Sequence, residues 1–380
     1  MRRVLQIAAV SAAATVALAA CGDAPAEDEP AESAGSESSA DGSADTAGST
    51  GAAPEGAAEY LACMVSDAGG FDDQSFNQSG AQGMDSAKEE LGIETSLVES
   101  QSDADYASNV STQVSQGCNL IIGVGFLLED AVQKAAEENP DTNFALVDSA
   151  FSDVDFAPVQ IDNAKPILFN TAEASFLAGY LAAGMTESDT VATFGGIQIP
   201  SVAIFMDGFS DGVQKYNEDE GTQVKLLGWD KEAQNGSFSG DFDNQSQGQT
   251  LTEQFIAQGA DIIMPVAGPV GLGAAAAAES KEGTKIVWVD SDGFETTQYG
   301  PLMLTSVLKQ IGPAVDDTIS ESIDSFSNEP YVGTLENEGV GLAPYHDFEG
   351  EVPEELTTKI EEYKQQIIDG ELTVESPNTP

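Results

Sequence analysis

Basic side chains are scarce in this chain. Thirteen Lys plus Arg stand against 65 Asp plus Glu over 380 residues, giving a formal net charge of −52. A field of that sign repels phosphate backbones and anionic headgroups, which excludes nucleic acid as a partner. Histidine occurs once, at His346, in a predicted loop without the context of a catalytic triad, so it reads as a solvated surface residue. The three cysteines are too few for a disulfide-rich scaffold or a paired-ligand zinc site, and no metal or cofactor is expected. Long apolar runs are missing too. The longest, Val4 to Ala20, falls short of the ~20 residues that span a bilayer.

What is there begins at the N-terminus. Arg2 and Arg3 precede that apolar run, and small residues lead directly to Cys21, the layout of a secretory signal over residues 1–20. Leu18, Ala19, Ala20 and Cys21 resemble the bacterial lipobox, which implies lipid modification of Cys21 and a mature protein held at the outer face of the cell membrane. Residues 21–59 follow, rich in Ser, Ala and Gly, with ten acidic residues and neither Lys, Arg nor an aromatic before Tyr60. Such a segment buries too little to offset chain entropy, so a disordered tether is expected. Its root-mean-square reach is on the order of 35 Å.

Beyond Tyr60 the apolar fraction is that of a globular protein, and short β-rich runs alternate with helical patterns. The predicted strands are LACMVSD, SLVES, NLIIGVGF, FALVDS, PVQID, VATFGG, QVKLLGW, DIIMPVA, KIVWVD and LMLTSV. Continuous apolar strands separated by helices predict parallel sheets covered on both faces. There are too many for one ordinary sheet, so the α/β fold is expected to have two lobes, each a doubly wound, mostly parallel sheet flanked by helices. Residues 60–164 with about 294–328 are assigned to lobe 1, and 165–293 with about 329–376 to lobe 2. The stretch YVGTLENEGVGLAP suits a hairpin or a crossover near a hinge. Cys63 and Cys118 sit near the starts of neighbouring predicted strands, and a disulfide between them is expected.

A two-lobed α/β protein binds its ligand at the carboxyl ends of its strands. Those ends hold Asp67, Gly125 and Phe126, Asp148, Gly195 and Gly196, Gly268, and Asp290 with Asp292. Carboxylates alternate with glycines and no basic residue is among them, which favours hydroxyl and amine donors over phosphate. After Asp67, a glycine turn leads to Ser75, expected to cap a helix that opens with Phe76 and Asn77. Phe205 and Phe209 follow a strand end in the second half. An aromatic from each lobe would sandwich a planar ring, although each phenylalanine taken alone reads better as core.

The segments DAGGFDDQSFNQ, NLIIGVGF, FALVDS, EASFLAGYLAAG, GGIQIPSVAIFMDGF, GADIIMPVAGPVGLG and VWVDSDG, in this order, resemble the basic membrane protein (Bmp) family over essentially everything after Tyr60. These are nucleoside-binding lipoproteins of ABC importers, of the purine nucleoside receptor type. The resemblance implies a type I periplasmic-binding-protein fold that closes on a nucleoside, no catalysis, a monomer, and a permease and ATPase as partners. It further implies that Phe76 and Phe205 stack on the ligand and that Asp67 and Asn77 read the base. Gly268 and Asp290 would hold the ribose, with Asp292 as the alternative to Asp290, and Phe126 and Asp148 would complete the crevice. Where the family often carries an arginine-containing run before its second aromatic, this chain has Val202, Ala203 and Ile204, which leaves the ligand open. The competing readings are a sensory or surface lipoprotein of the same fold, a sugar-binding protein, and a nucleoside hydrolase. The last needs a clustered calcium site; DAGGFDD lacks the spacing of a calcium loop, and DFDNQSQG has Asp241 and Asp243 at the right offset but lacks the glycine.

Overall fold

A computed structural model of the chain describes residues 56–153 and 157–380. The signal segment, Cys21 and nearly all of the tether lie outside the described residues. The tether's far end differs from the expectation: Ala57–Glu59 forms a 3-10 turn, and Ala57 is buried in the main core. The folded body therefore starts before Tyr60.

The first sheet contains β1 (Leu61–Ser66), β2 (Glu94–Val98), β3 (Leu120–Val124), β4 (Asn143–Val147) and β5 (Ala164–Phe169). The second contains β6 (Thr190–Gly195), β7 (Lys225–Leu227), β10 (Ile262–Val266), β11 (Lys285–Asp290) and β12 (Met303–Lys309). Between β7 and β10 lies a small antiparallel pair, β8 (Trp229–Asp230) and β9 (Asn235–Gly236). Two late strands, β13 (Tyr331–Gly333) and β14 (Val340–Leu342), complete the sheets. The orders are β13-β5-β4-β3-β1-β2 and β14-β12-β11-β10-β6-β7. All pairings within the two sheets are parallel except that of β14 with β12. The same winding occurs twice, as the alternation of apolar strands and helices predicts.

The helices are α1 (Phe76–Leu91), α2 (Asp103–Gln116), α3 (Glu129–Glu138), α4 (Thr171–Met185), α5 (Pro200–Glu220), α6 (Gln245–Ala257), α7 (Val270–Glu279), α8 (Gly293–Thr296), α9 (Ile311–Ser325) and α10 (Glu354–Ile368). They cover both faces of the sheets. In β1, Ala62 and Met64 join the main core while Cys63 and Val65 enter a separate cluster with Ile121, Phe144 and Leu146. This period-two division buries strands on both sides. Within that second cluster Cys63 and Cys118 are bridged, their Cα atoms 6.0 Å apart.

One strand reading is corrected. PVQID makes only isolated bridges at Pro158 and Ile161, and the strand is the next segment, β5. Pro166 disguises it, because proline removes a ladder donor. The Asp148 N–H donates to the Ile167 carbonyl, so odd-numbered residues of β5 face β4. Pro166 therefore faces the other side, where β13 pairs only from Ile167 onward, and the missing donor costs nothing there.

The lobe boundaries shift accordingly. β5 completes the first sheet, and Met303–Lys309, expected in lobe 1, lies in the second sheet between β11 and β14. Of the segment 294–328, only α9 returns to the first sheet's side, where it packs on α1. The chain thus passes between the sheets at Asn170, at Gln310, and between Gly333 and Val340. The YVGTLENEGVGLAP stretch is the crossover, not a hairpin. Backbone bonds tie these passages together, Asn170 N–H to the Gly333 carbonyl at 2.8 Å and Gln310 N–H to the Gly339 carbonyl at 3.0 Å.

Candidate functional site

The carboxyl ends of both sheets meet around a cavity lined by residues of both, the place where α/β proteins take small ligands. Of the sequence-predicted residues, Asp67, Phe76, Asn77, Phe126, Asp148, Phe205, Gly268 and Asp290 all line it. Asp148 closes β4 and Asp290 closes β11, equivalent strands of the two sheets. Both take a left-handed backbone, with φ of 72° and 69°, a conformation that costs of order 1 kcal/mol or more in a non-glycine residue. The cost is met twice, at the same place in each half. Gly125 serves Asp67 in another way: a Cβ there would fall 1.9 Å from Asp67 Oδ2, so only glycine admits that carboxylate.

The expectation that no basic residue stands at the strand ends is overturned by Lys309, the last residue of β12 and the only Lys or Arg among the described residues lining the cavity. Its ammonium lies 2.5 Å from Asp148 Oδ2 and 3.7 Å from Asp290 Oδ1, bridging the two sheets. It also sits 4.7 Å from the ring centre of Phe76 and 5.5 Å from that of Phe205, within cation–π range of one aromatic from each half. Lys309 was missed because LMLTSV was read as ending at Val307, whereas the strand runs two residues further. Phe242, from the loop before α6, also lines the cavity and carried no strand-end signal.

Burial dominates the electrostatics. It raises the pKa of Asp148 and of Asp290, against the lowering effect of the Lys309 charge. Burial likewise holds Asp67 well above the usual carboxylate range, with the Asn77 hydrogen bond opposing. Asn77 Nδ2 donates to Asp67 Oδ1 and to the Ala68 carbonyl, both at 3.1 Å. With both amide protons spent there, Asn77 Oδ1 is buried without a protein partner.

Ser75 does not cap α1 with its side chain. Asp73 does that instead: its carboxylate accepts the N–H groups of Ser75, Asn77 and Gln78 at 3.0, 2.8 and 3.0 Å. The Ser75 hydroxyl is turned to the second sheet, 3.0 Å from Asp290 Oδ2.

Asp292 is corrected as a ligand group. Its carboxylate caps α8 through the Phe294 N–H and pairs with His346 Nε2 at 2.7 Å, and it does not line the cavity. His346 is accordingly not a free surface residue, for its ring also lies flat on Phe294 with centroids 4.1 Å apart. Phe209 is fully buried core.

With the geometry in place, similarity becomes informative. Residues 61–377 match the profile of the Bmp family, described as ABC transporter substrate-binding protein PnrA-like. The chain belongs to the Bmp family. Among its relatives, the CD4+ T-cell-stimulating antigen of Listeria innocua is 30% identical over 336 residues, covering 83% of this chain and 88% of that protein. The ABC transporter nucleoside-binding protein BmpA of Lactococcus lactis is 28% identical, with 83% and 89% covered. Among solved structures, a solute-binding protein of an ABC transporter system from Aeropyrum pernix superposes with a TM-score of 0.74 at 26% identity, covering 83% of this chain and 92% of that one. This Bmp family member is therefore an α/β protein with the fold of ABC transporter solute-binding proteins, and its strand-end cavity lies where α/β sheets bind ligands.

Proposed function

We propose that this protein binds a nucleoside, with a purine base, in the cavity between its two sheets and delivers it unchanged to an ABC permease and its ATPase. The observation that carries the reading is Lys309 between Asp148 and Asp290, flanked by Phe76 and Phe205. A ribose hydroxyl both donates and accepts, so an ammonium beside carboxylates satisfies a diol from both directions. Phe76 and Phe205 offer flat faces for a base, where stacking contributes ~1–3 kcal/mol. Asp67 and the unpartnered Asn77 Oδ1 are acceptors for base N–H groups, and a base lacking those donors would leave buried acceptors unpaired. Asp67, Asp73, Asp148 and Asp290 share the cavity lining with a single lysine, a lining poor in the cationic donors that a 5′-phosphate takes. The nucleoside-binding activity in the name of the Lactococcus lactis relative supports the same class.

The three chain passages between the sheets act as the hinge about which the lobes close on the ligand. No bond is made or broken in the ligand. Cys21 carries the lipid that holds the protein at the outer face of the cell membrane. Replacing Cys21→Ser is expected to move the protein from the membrane fraction to the soluble fraction, and continued membrane retention would refute the anchor. Titrating a purine nucleoside into wild type, Asp290→Asn and Lys309→Met tests the site. Binding by wild type that weakens at least about tenfold in each variant is expected. Wild-type affinity in both variants would remove the nucleoside from this cavity.

A further inference from the structure

Between the two sheets runs a second set of contacts that touches no part of the cavity wall assigned to the base. The Gln74 carbonyl, on the first sheet's side, receives the Ser291 hydroxyl at 3.0 Å, and Thr296 Oγ1 lies 3.1 Å from the same oxygen. Each hydroxyl has one proton. Ser291 spends its proton on Gln74, whereas Thr296 can donate to Gln74, to the Asp292 carbonyl at 3.0 Å, or to Ser291 Oγ at 3.1 Å. Next along the chain, Ser75 Oγ lies 3.1 Å from the Val289 carbonyl and 3.0 Å from Asp290 Oδ2. Gln74 itself is held at a φ of 59°, which a glutamine rarely adopts.

These groups come from the turn after β1 and from the segment after β11, not from the three passages that join the sheets. A rotation about those passages that parts the lobes must break them, while the hydrogen bonds inside each lobe survive. On the second sheet's side α8 is braced by the Asp292 cap and by His346, which pairs with Asp292 and stacks on Phe294. Thr296, the last residue of α8, is thereby held in place.

We infer that Ser291 and Thr296 are positioning residues that set ligand affinity by latching the closed lobes at the Gln74 carbonyl, without contacting the ligand. A ligand's apparent affinity scales with the population of the binding-competent state, so weakening the latch weakens binding with the cavity intact. The inference rests on the ligand-binding reading above, but the latch is measurable without ligand.

The test uses the full-length protein with Ser291→Ala and Thr296→Val combined. Its purine nucleoside should dissociate about five- to thirtyfold faster, the loss matching one to two ordinary hydrogen bonds. Spin labels at Ser115→Cys on α2 and Gln249→Cys on α6 should report a longer or broader interlobe distance in the ligand-free double variant. The hydroxyl-preserving pair Ser291→Thr and Thr296→Ser should behave as wild type. An unchanged dissociation rate or an unchanged distance distribution in the double variant overturns the latch. So does faster dissociation that appears only alongside a lowered melting temperature and a wild-type distance, since that is a packing role. Were wild type to bind no nucleoside, the ligand assignment would fail, and the interlobe distances would still decide the latch.

Discussion

Asp73 shows how a single carboxyl links this site to pH. Burial pushes it up to about 6 from an ordinary value of 3.8, despite the three N–H groups it accepts at the start of α1. A carboxyl whose folded pKa is raised binds its proton more tightly in the native state. Its contribution to stability is therefore full below pH ~4 and is lost as the pH rises through about 6. The size is on the order of 3 kcal/mol. Denaturant unfolding at pH 4 and pH 7 should show wild type losing more stability across that interval than Asp73→Asn, which has no proton to release. The comparison between the two proteins matters because the −52 net charge adds a self-repulsion of the same sign to both. Equal losses would mean that the Asp73 carboxyl is not raised by folding. Since the same carboxylate positions the N–H groups around Phe76 and Asn77, its titration acts on the residues proposed to hold the base.

At the level of elements, legibility followed where the physics was local. Period-two burial and short apolar runs made nine of the ten predicted strands visible, because a strand covered on both faces has to be apolar along its length. β5 escaped because Pro166 argues against a strand, and the exemption depends on where β13 begins, a tertiary fact. Most cavity residues were legible because an α/β sheet places its ligand at strand ends, so Asp67, Asp148 and Asp290 could be picked out by position alone. The same rule failed at two points, each through a strand end. Ending β12 at Val307 hid Lys309, the cation that joins the two halves. β11 was read with its true end at Asp290, but counting Asp292 among the strand-end residues brought in a carboxylate that serves as the cap of α8. In both places the error was two residues, and in a strand-end site two residues separate a ligand contact from a helix cap. His346 was illegible for another reason, since Asp292 and Phe294 lie more than fifty positions away in sequence.

For the molecule as a whole, the repeated winding of the two sheets and the three passages between them are the layout on which the proposed closure about a ligand rests. Closure needs interactions that only the closed form makes. Lys309 with Asp148, Ser75 with Asp290, and the Gln74 latch are all of that kind. The large negative charge works against anionic ligands at every distance short of screening by salt. A neutral nucleoside meets no such barrier, while its 5′-monophosphate meets the overall field and a cavity with one cationic side chain among its lining residues. The most direct measurement is calorimetric titration of the purified protein with a purine nucleoside, its 5′-monophosphate, ribose and galactose. The nucleoside should bind with one-to-one stoichiometry; both sugars should bind at least about a hundredfold more weakly, having no base to stack or hydrogen-bond, and so should the monophosphate, because of its added negative charge. Tight binding of ribose, galactose or the monophosphate with no binding of the nucleoside would contradict the account.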